Sequence, residues 1–522
     1  MPKALISVIL STVLFLSGCG YKKGEPAPTP CVDATKEYIS CYLTSADDLN
    51  PLLAETENDI AVFSLIYDSL IYLENDMSIV PQLAKSCTVS GDCTSINFVL
   101  RDDIYWHDGE KFTSEDVAYT IRFIKNSENE TIYRDLLAPV SDIQITDDYN
   151  FTLNLTGPYA RVVNLLDFPI IPSHDTGISK KPMGTGKYMY QGTDGSSDMV
   201  LTKNNLWSLG DLPIEENVII RLLGKSKDEF SLFKTGDIDV LNINAAQMSE
   251  FGFADNSQYI SYTTPKYEFI GFNHSNRVFA QPEVRKALSL AINRDEIVKE
   301  SYLGLGTAAN SPILPTAYFY NLDADNIAFS TDKASSALAD AGWADVDGDG
   351  VLEKSIDEVT YRLEGSLLVN SENPLRMSAA EKISEMLSKA GFKISVAYAD
   401  WDSYTQKIQD GEFSLFYGGT ELMPSFDLSF LLSSWAVENG QNFMNYSSSD
   451  MDNVISKTHV AVSMEELKNA YLEFQYIFTR DMPIAGILFQ HNCLIYQNDI
   501  TGVSDSCFSK PLLSFNRWHR GK

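Results

Sequence analysis

The feature that most constrains the fold is an apolar run near the start of the chain, residues 4–16 of MPKALISVILSTVLFLSGCG. One basic residue, Lys3, precedes it, as in a secretory signal. The run is well under the ~20 apolar residues that span a bilayer, and no later segment is apolar enough to span one. We therefore predict that residues 1–18 are a signal peptide and that the rest of the chain folds outside the cytoplasm.

The end of this run, Leu16-Ser17-Gly18-Cys19, resembles a bacterial lipobox, in which the cysteine is diacylated after the signal is cut before it. An ordinary small-residue cleavage site beside a cysteine is the alternative. The next residues, YKKGEPAPTP, form the polar, Pro-rich kind of segment that serves as a tether. We expect a lipidated Cys19 and a flexible tether over residues 19–36, so that the chain meets a membrane only through its lipid, on the outer face of the cell membrane or in a periplasm.

The cysteine count agrees with export, because six of the seven cysteines remain once Cys19 is set aside. They fall into local couples that could each close a short loop as a disulfide, namely Cys31 with Cys41, Cys87 with Cys93 and Cys493 with Cys507. A metal cluster is the alternative, but no CxxC occurs. Since six cysteines allow fifteen pairings, proximity alone suggests these three.

Length and charge limit the classes of protein that remain. A chain of 522 residues allows two to four domains at ~100–200 residues each, and an apolar share of 44% supports a folded body. A net charge of -31 argues against nucleic acid as a partner, because phosphate binding needs clustered Lys and Arg.

The stretch YWHDGEKFTSEDVAYTI, residues 105–121, has the polar side chains of an active site but reads better as scaffold. Residues 95–100 alternate as in a strand. Thr113 is placed to cap a helix, with Asp116 three residues later in an approximate capping box. His107 has no second histidine nearby, so we interpret it as a structural histidine.

The same stretch resembles the WHDGE.FTAEDV signature of the extracellular solute-binding proteins of family 5, the peptide, dipeptide and nickel receptors of ABC importers. Further matching segments follow in the family's order: LNPLL at 49–53, SLIYDSL at 64–70, VPQLAKSC at 80–87, MGTGKYMY at 183–190 and EFIGFNHSNRVFAQPEVRKALSLAINRDEIV at 268–298. The resemblance covers nearly the whole mature chain. It implies an α/β, two-lobed periplasmic-binding-protein-like fold (type II, cluster C) with an extra domain inserted in lobe I.

The resemblance also implies the course of the chain. Lobe I is expected to contain residues 37–54, 175–268 and 484–522, with the inserted subdomain at 55–174 and lobe II at 269–483. Two crossings would then join the lobes, near residues 269–273 and 482–488. Within lobe II, the pattern of strand and helix expected of an α/β lobe predicts helices over 281–302, up to Gly342 and over 379–390, and a strand over 393–398.

Two glycine motifs do not indicate nucleotide binding. Residues 304–309, GLGTAA, follow a predicted helix, whereas a dinucleotide fingerprint must follow a strand. Residues 184–187, GTGK, lack the first glycine and the Ser or Thr of a phosphate loop. The chain also has no GxSxG, which removes the commonest sign of an esterase.

One acidic segment could hold a metal. Asp345, Asp347 and Asp349 occupy the first three ligand positions of an EF-hand-like loop, but Ile356 stands at the position of the bidentate glutamate. The alternative is an acidic surface turn. A structural calcium here is the only cofactor that the sequence suggests.

The ligand site is expected in lobe II. A cleft that takes peptides of varied sequence must hold their main chain, and it needs a carboxylate for the α-ammonium. In peptide-binding members of the family an aspartate after a strand and a glycine pair supplies it. Here Asp427 is the best match, in LFYGGTELMPSFD at 415–427, with Glu421 as a competitor. A helix cap is the other reading of Asp427.

Other ligand contacts carry over less directly. Some dipeptide-binding relatives clamp the ligand carboxylate with an arginine just before the helix predicted at 379–390. The nearest basic residue here is Arg376, which could instead be a solvated charge at the helix end. Aromatic side chains can wall a pocket or pack in a core. The remaining candidates are Trp401, Tyr404, Tyr417, Phe269, Gly419 and Thr420.

The resemblance thus implies a monomeric, non-enzymatic receptor that captures peptides by closure of its lobes and presents them to the permease subunits of an ABC importer. Three alternatives stay open. The same scaffold could hold a nickel chelate, haem or another non-peptide solute. It could report a peptide signal as a sensor, or it could be an extracellular hydrolase.

Overall fold

The computed structural model describes residues 36–44, 48–193, 198–223, 228–252, 256–324 and 327–521. The predicted signal peptide lies outside these ranges, as do Cys19, Cys31 and nearly all of the predicted tether. Within the described ranges, no helix combines the length and the apolar character that a membrane crossing requires.

The described residues alternate between strands and helices. The strands are β1 (Ile39–Leu43), β2 (Ile71–Leu73), β3 (Ile79–Pro81), β4 (Ala84–Val89), β5 (Ser95–Leu100), β6 (Val140–Asp147), β7 (Asn150–Leu155), β8 (Tyr188–Thr193), β9 (Met199–Lys203), β10 (Asn217–Leu222), β11 (Val240–Asn244), β12 (Ser257–Phe272), β13 (Gly306–Ala308), β14 (Glu353–Ile356), β15 (Val359–Arg362), β16 (Glu364–Asn370), β17 (Lys393–Ala399), β18 (Leu415–Glu421), β19 (Ile484–Gln497), β20 (Ile500–Thr501) and β21 (His519–Arg520). The α-helices are α1 (Glu57–Phe63), α2 (Ser114–Lys125), α3 (Glu229–Thr235), α4 (Ala245–Phe251), α5 (Pro282–Leu290), α6 (Arg294–Ser301), α7 (Thr331–Asp340), α8 (Pro374–Ser388), α9 (Trp401–Gln409), α10 (Ser429–Leu432), α11 (Ala436–Asn439), α12 (Ser449–Val460) and α13 (Met464–Asp481).

The largest sheet has the strand order β11-β19-β12-β18-β16-β17, with β13 added on β19. Its two longest strands, β12 and β19, pair antiparallel from Ser257↔Gln497 to Gly271↔Ile484. At one end β11 joins β19, with Val240 opposite Tyr496, and at the other end β18 joins β12, with Leu415 opposite Phe272. β12 therefore runs from the region predicted as lobe I into the first residues predicted as lobe II. The two predicted crossings meet at one end of the pair, where Gly271 lies opposite Ile484.

Two four-stranded sheets lie outside this central one. The order β1-β10-β9-β8 belongs to the region predicted as lobe I, and β4-β5-β7-β6 lies within the predicted inserted subdomain. In the second sheet, β5 has the predicted bounds and buries every other residue, as a strand with one face on a core does.

The helix predicted after Thr113 is confirmed as α2, and its capping box is formed. The carboxylate of Asp116, only 2% exposed, does more than cap the helix. It accepts hydrogen bonds from the Thr113 amide (2.9 Å), the Trp106 indole (3.2 Å), and the amide and hydroxyl of Ser173 (2.8 Å each). The WHDGE segment is thus held by one buried acid.

His107 is structural, as predicted. Its Nδ1 accepts a hydrogen bond from the Gly184 amide (3.2 Å), and its Nε2 lies 3.0 Å from the Gly186 carbonyl. Burial lowers the pKa of His107 to about 4, so the ring is neutral at physiological pH. The GTGK segment packs against it and against Ile66, whose carbonyl oxygen would lie 1.9 Å from a Cβ at Gly184. This contact explains the glycine at 184.

Two predicted helices have different bounds. The one predicted over residues 281–302 is two helices, α5 and α6, because the Asn293 side chain accepts the amide of Glu296 (3.3 Å) and starts a new helix. The helix predicted over 379–390 begins at Pro374, where Asn373 provides the cap and proline the first turn. Arg376 therefore lies inside the first turn of α8 instead of before it. The strand β17 begins where it was predicted.

The two predicted disulfides that the described residues can show are not formed, since their cysteines are free. Cys87 is exposed on β4, whereas Cys93 is buried and its Sγ lies 3.5 Å from the Val460 carbonyl. Cys493 is buried within β19, and the Sγ of Cys507 is 3.8 Å from the Lys510 carbonyl. Cys41 is likewise free and buried, but its predicted partner lies outside the described residues.

We expect Asp116→Ala to lower the free energy of unfolding by about 3–5 kcal/mol, because it leaves several buried donors without their charged acceptor. Urea unfolding followed by circular dichroism measures the change. The matched control is Glu115→Ala, which removes an exposed ion pair with Arg122 and should cost at most ~1 kcal/mol. Equal losses for the two variants would contradict the structural role given to Asp116.

Candidate ligand-binding site

A cavity of about 160 Å³ lies where β12 and β18 meet α8 and α9. Six of the nine predicted ligand-binding residues line it: Phe269, Arg376, Trp401, Tyr404, Gly419 and Thr420. The sequence analysis missed the other lining residues, which are Thr405, Ile408, Gln409, Phe416, Gly418, Leu431, Gln441 and Phe443. The predicted residues are thus brought together from four separate segments of the chain.

The dominant electrostatic feature of this cavity is a two-point ion pair between Arg376 and Glu268. The arginine Nε lies 2.8 Å from one carboxylate oxygen and Nη2 lies 2.8 Å from the other. The two side chains are 14% and 2% exposed, and the amide of Gln490 donates a further hydrogen bond to Glu268 (2.7 Å). Burial alone would lower the pKa of Arg376, but the Glu268 charge raises it above its ordinary value.

Gly419 makes this ion pair possible. It lies opposite Glu268 in the β12–β18 ladder. A Cβ there would come within 2.5 Å of a Glu268 oxygen and 2.6 Å of Arg376 Nη2. The second glycine of the predicted Gly418-Gly419 pair is therefore required by the close approach of charged side chains.

The aromatic candidates divide into wall and core. Trp401 is 50% exposed and stacks on Tyr404 with ring centroids 5.9 Å apart. The Tyr404 hydroxyl donates to the Tyr417 carbonyl (2.9 Å), which fixes the ring beside the cavity. Tyr417 itself is fully buried, its hydroxyl 3.0 Å from that of Tyr302. Trp401 and Tyr404 form the aromatic wall, and Tyr417 belongs to the core.

One edge of β18 is open beside this wall. β16 pairs with β18 only from Leu415 to Tyr417, while β12 accompanies β18 as far as Glu421. No other strand in the described ranges reaches the far side of residues 418–421. An open strand edge of this kind can take up an extended chain through main-chain hydrogen bonds.

Glu421 ends this open edge, directly after the lining residue Thr420. It lies opposite Lys266 in the ladder, but the Lys266 ammonium pairs with Glu57 instead. Burial, the largest effect, and the Glu57 charge raise the pKa of Glu421, while Lys266 opposes them. Glu421 does not itself line the cavity, and its carboxylate forms no ion pair with a basic side chain of the described residues.

Asp427 does not line the cavity. One oxygen of its carboxylate accepts the Ser429 amide (2.9 Å) at the start of α10 and lies 2.9 Å from Nε2 of His459. Burial tends to raise the pKa of Asp427, but the His459 and Ser429 contacts hold it below its ordinary value. Asp427 thus accepts a backbone amide of α10 from the position just before the N-cap residue, Leu428.

The acidic loop after α7 only partly assembles as predicted. Asp345 and Asp347 come together with Glu353, with one oxygen of each within 4.8 Å of the others. Asp349 is turned away and pairs with Arg362, which also contacts Asp347 (3.3 Å). Calcium binding here stays a prediction, with Glu353 in place of Asp349 and with a competing cation in Arg362.

Sequence reasoning missed Glu268 and Gln490, which hold Arg376 in place. A signal for Glu268 exists, because an acid inside the apolar strand segment YEFIGF requires a partner when it is buried. No comparable signal identifies the partner, since Arg376 stands 108 residues later in the sequence.

We expect Glu268→Gln to lower the free energy of unfolding by about 3–5 kcal/mol, because Arg376 would remain buried without its counter-charge. The matched control is Glu300→Gln, which breaks the more exposed pair with Lys382 and should cost at most ~1 kcal/mol. Both values follow from urea unfolding. A Glu268→Gln variant as stable as the control would show that Arg376 does not depend on this carboxylate.

Comparisons with known proteins agree with this architecture. Residues 78–442 match the family described as bacterial extracellular solute-binding proteins, family 5 Middle. The chain is 21% identical to the oligopeptide-binding protein AppA of Bacillus subtilis (strain 168) over 95% of both chains. It is 26% identical to the nickel-binding periplasmic protein of Escherichia coli (strain K12) over 78% of this chain and 80% of that one.

Among solved structures, HbpA2 from Haemophilus parasuis superposes with a TM-score of 0.76 at 19% identity, over 93% of this chain and all of that chain. This likeness shows the fold, which is the two-lobed α/β fold of periplasmic binding proteins. Because the family match covers well over half of the residues, the chain belongs to the bacterial extracellular solute-binding proteins of family 5.

Proposed function

We propose that this protein is the lipid-anchored receptor of an ABC importer, and that it captures peptides in extended form between its lobes and delivers them to membrane permease subunits without turning them over. The family supports the class of solute-binding protein. The relatives named above bind oligopeptides or nickel, so the choice of peptide rests on the cavity of this chain.

The observation that carries the choice is the open edge of β18 at residues 418–421, beside the aromatic wall. Main-chain pairing at such an edge is independent of the ligand's side chains. The apolar faces of Trp401 and Tyr404 can accommodate different side chains next to it. Together they favour an extended peptide over a compact solute.

Arg376 supports the same proposal. The Nε and Nη2 atoms of Arg376 donate hydrogen bonds to Glu268. The Nη1 atom has no hydrogen-bond acceptor among the described residues. Because the pair is neutral overall, Nη1 can donate to a peptide carbonyl as well as to a carboxylate. A clamp of this kind does not restrict the ligand to dipeptides.

For the ligand's ammonium group, the geometry favours Glu421 over Asp427. Glu421 directly follows the lining residue Thr420, and its carboxylate forms no ion pair with a basic side chain of the described residues, so a ligand cation would stabilise it. Asp427 already has His459 as a partner. We retain lipidation at Cys19 and a monomeric state as parts of this proposal.

Native mass spectrometry of the mature protein from its own host, with mild denaturation to release its cargo, should show a series of peptide masses. A single non-peptide mass, such as a nickel chelate or haem, would overturn the peptide assignment. Release of processed fragments from a purified peptide over time would instead indicate a hydrolase.

We expect Trp401→Ala to weaken peptide binding by about tenfold or more, since an aromatic anchor at a ligand site contributes ~2 kcal/mol. Isothermal titration calorimetry with a released peptide and with its scrambled sequence measures the effect. The matched control, Trp435→Ala, removes an indole that is 64% exposed and does not line the cavity. The two peptides should bind alike, and N-methylation of the peptide amides should abolish binding. Unchanged affinity in Trp401→Ala would exclude this wall as the site.

The ammonium site is tested by Glu421→Gln and Asp427→Asn, each titrated with a free and an N-acetylated form of the same peptide. If Glu421 holds the ammonium, Glu421→Gln should weaken binding of the free form by about tenfold and leave the acetylated form unaffected. Asp427→Asn should affect both forms equally or neither. The reverse pattern would return the role to Asp427.

A further inference from the structure

A second cavity, of about 690 Å³, shares no lining residue with the peptide cavity. It lies in the region predicted as lobe I and at the edge of the inserted subdomain. Two lysines line it, Lys187 and Lys510, and they are only 7% and 8% exposed. Lys187 is the last residue of the GTGK segment. The close approach of the Ile66 carbonyl explains the glycine at 184, but no contact within the described part of the scaffold explains the lysine at 187.

The charge of Lys510 is compensated within the protein. Its Nζ lies 3.7 Å from Asp68 Oδ1, and the carboxylate of Asp167 also acts on it. The other oxygen of Asp68 accepts the Thr185 hydroxyl (3.1 Å) and the Trp207 indole (3.4 Å). Lys510 therefore belongs to a buried network of opposite charges.

The charge of Lys187 has no such partner. Its Nζ contacts the Leu513 carbonyl at 3.4 Å and stands 5.4 Å from the centre of the Trp207 ring. No carboxylate of the described residues lies within ion-pair distance of it. Burial, and next the charge of Lys510, lower the pKa of Lys187 to about 7, although the more distant Asp68 carboxylate opposes them. The amine is therefore only partly protonated near pH 7, and an anion entering the cavity would stabilise its charged form and be stabilised by it.

The mouth of this cavity carries the opposite charge. Glu74 and Asp211 are exposed and Asp76 is half-buried, and all three line the cavity. None of them forms an ion pair with a basic side chain in the described part of the chain. Asp505, the fourth acid of the lining, pairs with Arg517.

We propose that this cavity binds a small amino-carboxylate, with the ligand carboxylate on Lys187 and its ammonium group toward the acids at the mouth. A positive floor beneath a negative rim selects a molecule that carries both charges over a simple anion, which the rim repels, or a simple cation, which the floor repels. This site is independent of the peptide cavity, and its occupation does not require the proposed transport function.

The test is a ligand-observed NMR titration of the mature protein with glycine, acetate and methylamine at millimolar concentrations. Glycine should bind, acetate should bind more weakly and methylamine should not bind. Lys187→Met should weaken glycine binding by about tenfold or more, because it removes an ion pair to the ligand. No glycine binding to the folded wild-type protein, or equal binding in Lys187→Met, would overturn the proposal.

Two controls separate this site from its alternatives. Lys181→Met makes the same change at an exposed lysine and should leave glycine binding unchanged, as should Trp401→Ala in the peptide cavity. Without a ligand, a buried lysine that lacks an ion pair does not stabilise the folded protein. The Lys187→Met protein should therefore unfold at the same temperature as wild type or higher. A marked loss of thermal stability in Lys187→Met, without loss of glycine binding, would show that the residue is structural.

Discussion

The antiparallel pairing of β12 with β19 is the interaction on which the rest of the structure depends. β12 runs from the region predicted as lobe I into the first residues predicted as lobe II, and β19 begins the last segment predicted as lobe I. Every other strand of the central sheet is attached, directly or through β18, to this pair. The register shifts between Thr263 and Tyr267, where Pro265 stands and three residues face Gln490 alone. Proline cannot donate to a ladder and is tolerated in strands at such bulges. A second register shift follows between Glu268 and Phe269, so the ladder is irregular next to the predicted crossing at residues 269–273.

Two buried arginines hold the start of β19 in place. Arg285 donates from Nε to the Met482 carbonyl (2.8 Å) and Arg294 from Nε to the Gly486 carbonyl (2.7 Å). Both arginines belong to the PEVRKALSLAINRDEIV segment, which is one of the segments that resemble the family. This segment therefore supplies the side chains that hold the start of β19. Its helices, α5 and α6, break at Asn293, and the break lets Arg294 reach the strand from the first residue of α6.

Local signals predicted what local physics determines. The alternation in β5 and the cap at Thr113 each depend on neighbouring residues, and each agrees with the structure. The start of α8 also has a local signal, in the cap residue Asn373 and in Pro374 at the first helical position, which the prediction of a helix over 379–390 did not use. The ion pair between Glu268 and Arg376 could not be predicted in this way, because the two residues meet only after β12, β18 and α8 have packed. The free cysteines illustrate the same limit, since proximity in sequence does not bring the Cys93 and Cys87 side chains to the same environment.

The protein carries a net charge of -31, yet its two candidate binding regions are each built around a buried cation. In the peptide cavity Arg376 is neutralised by Glu268, so the cavity offers an oriented donor without a net charge, and selection falls to the open edge of β18 and to the aromatic wall. In the second cavity Lys187 lacks a carboxylate, so the floor attracts an anion while the rest of the surface repels it. The two sites therefore differ in one internal carboxylate. With Glu268 present, the first cavity suits a main chain of any sequence, and without a carboxylate beside Lys187, the second cavity requires a ligand with a negative charge.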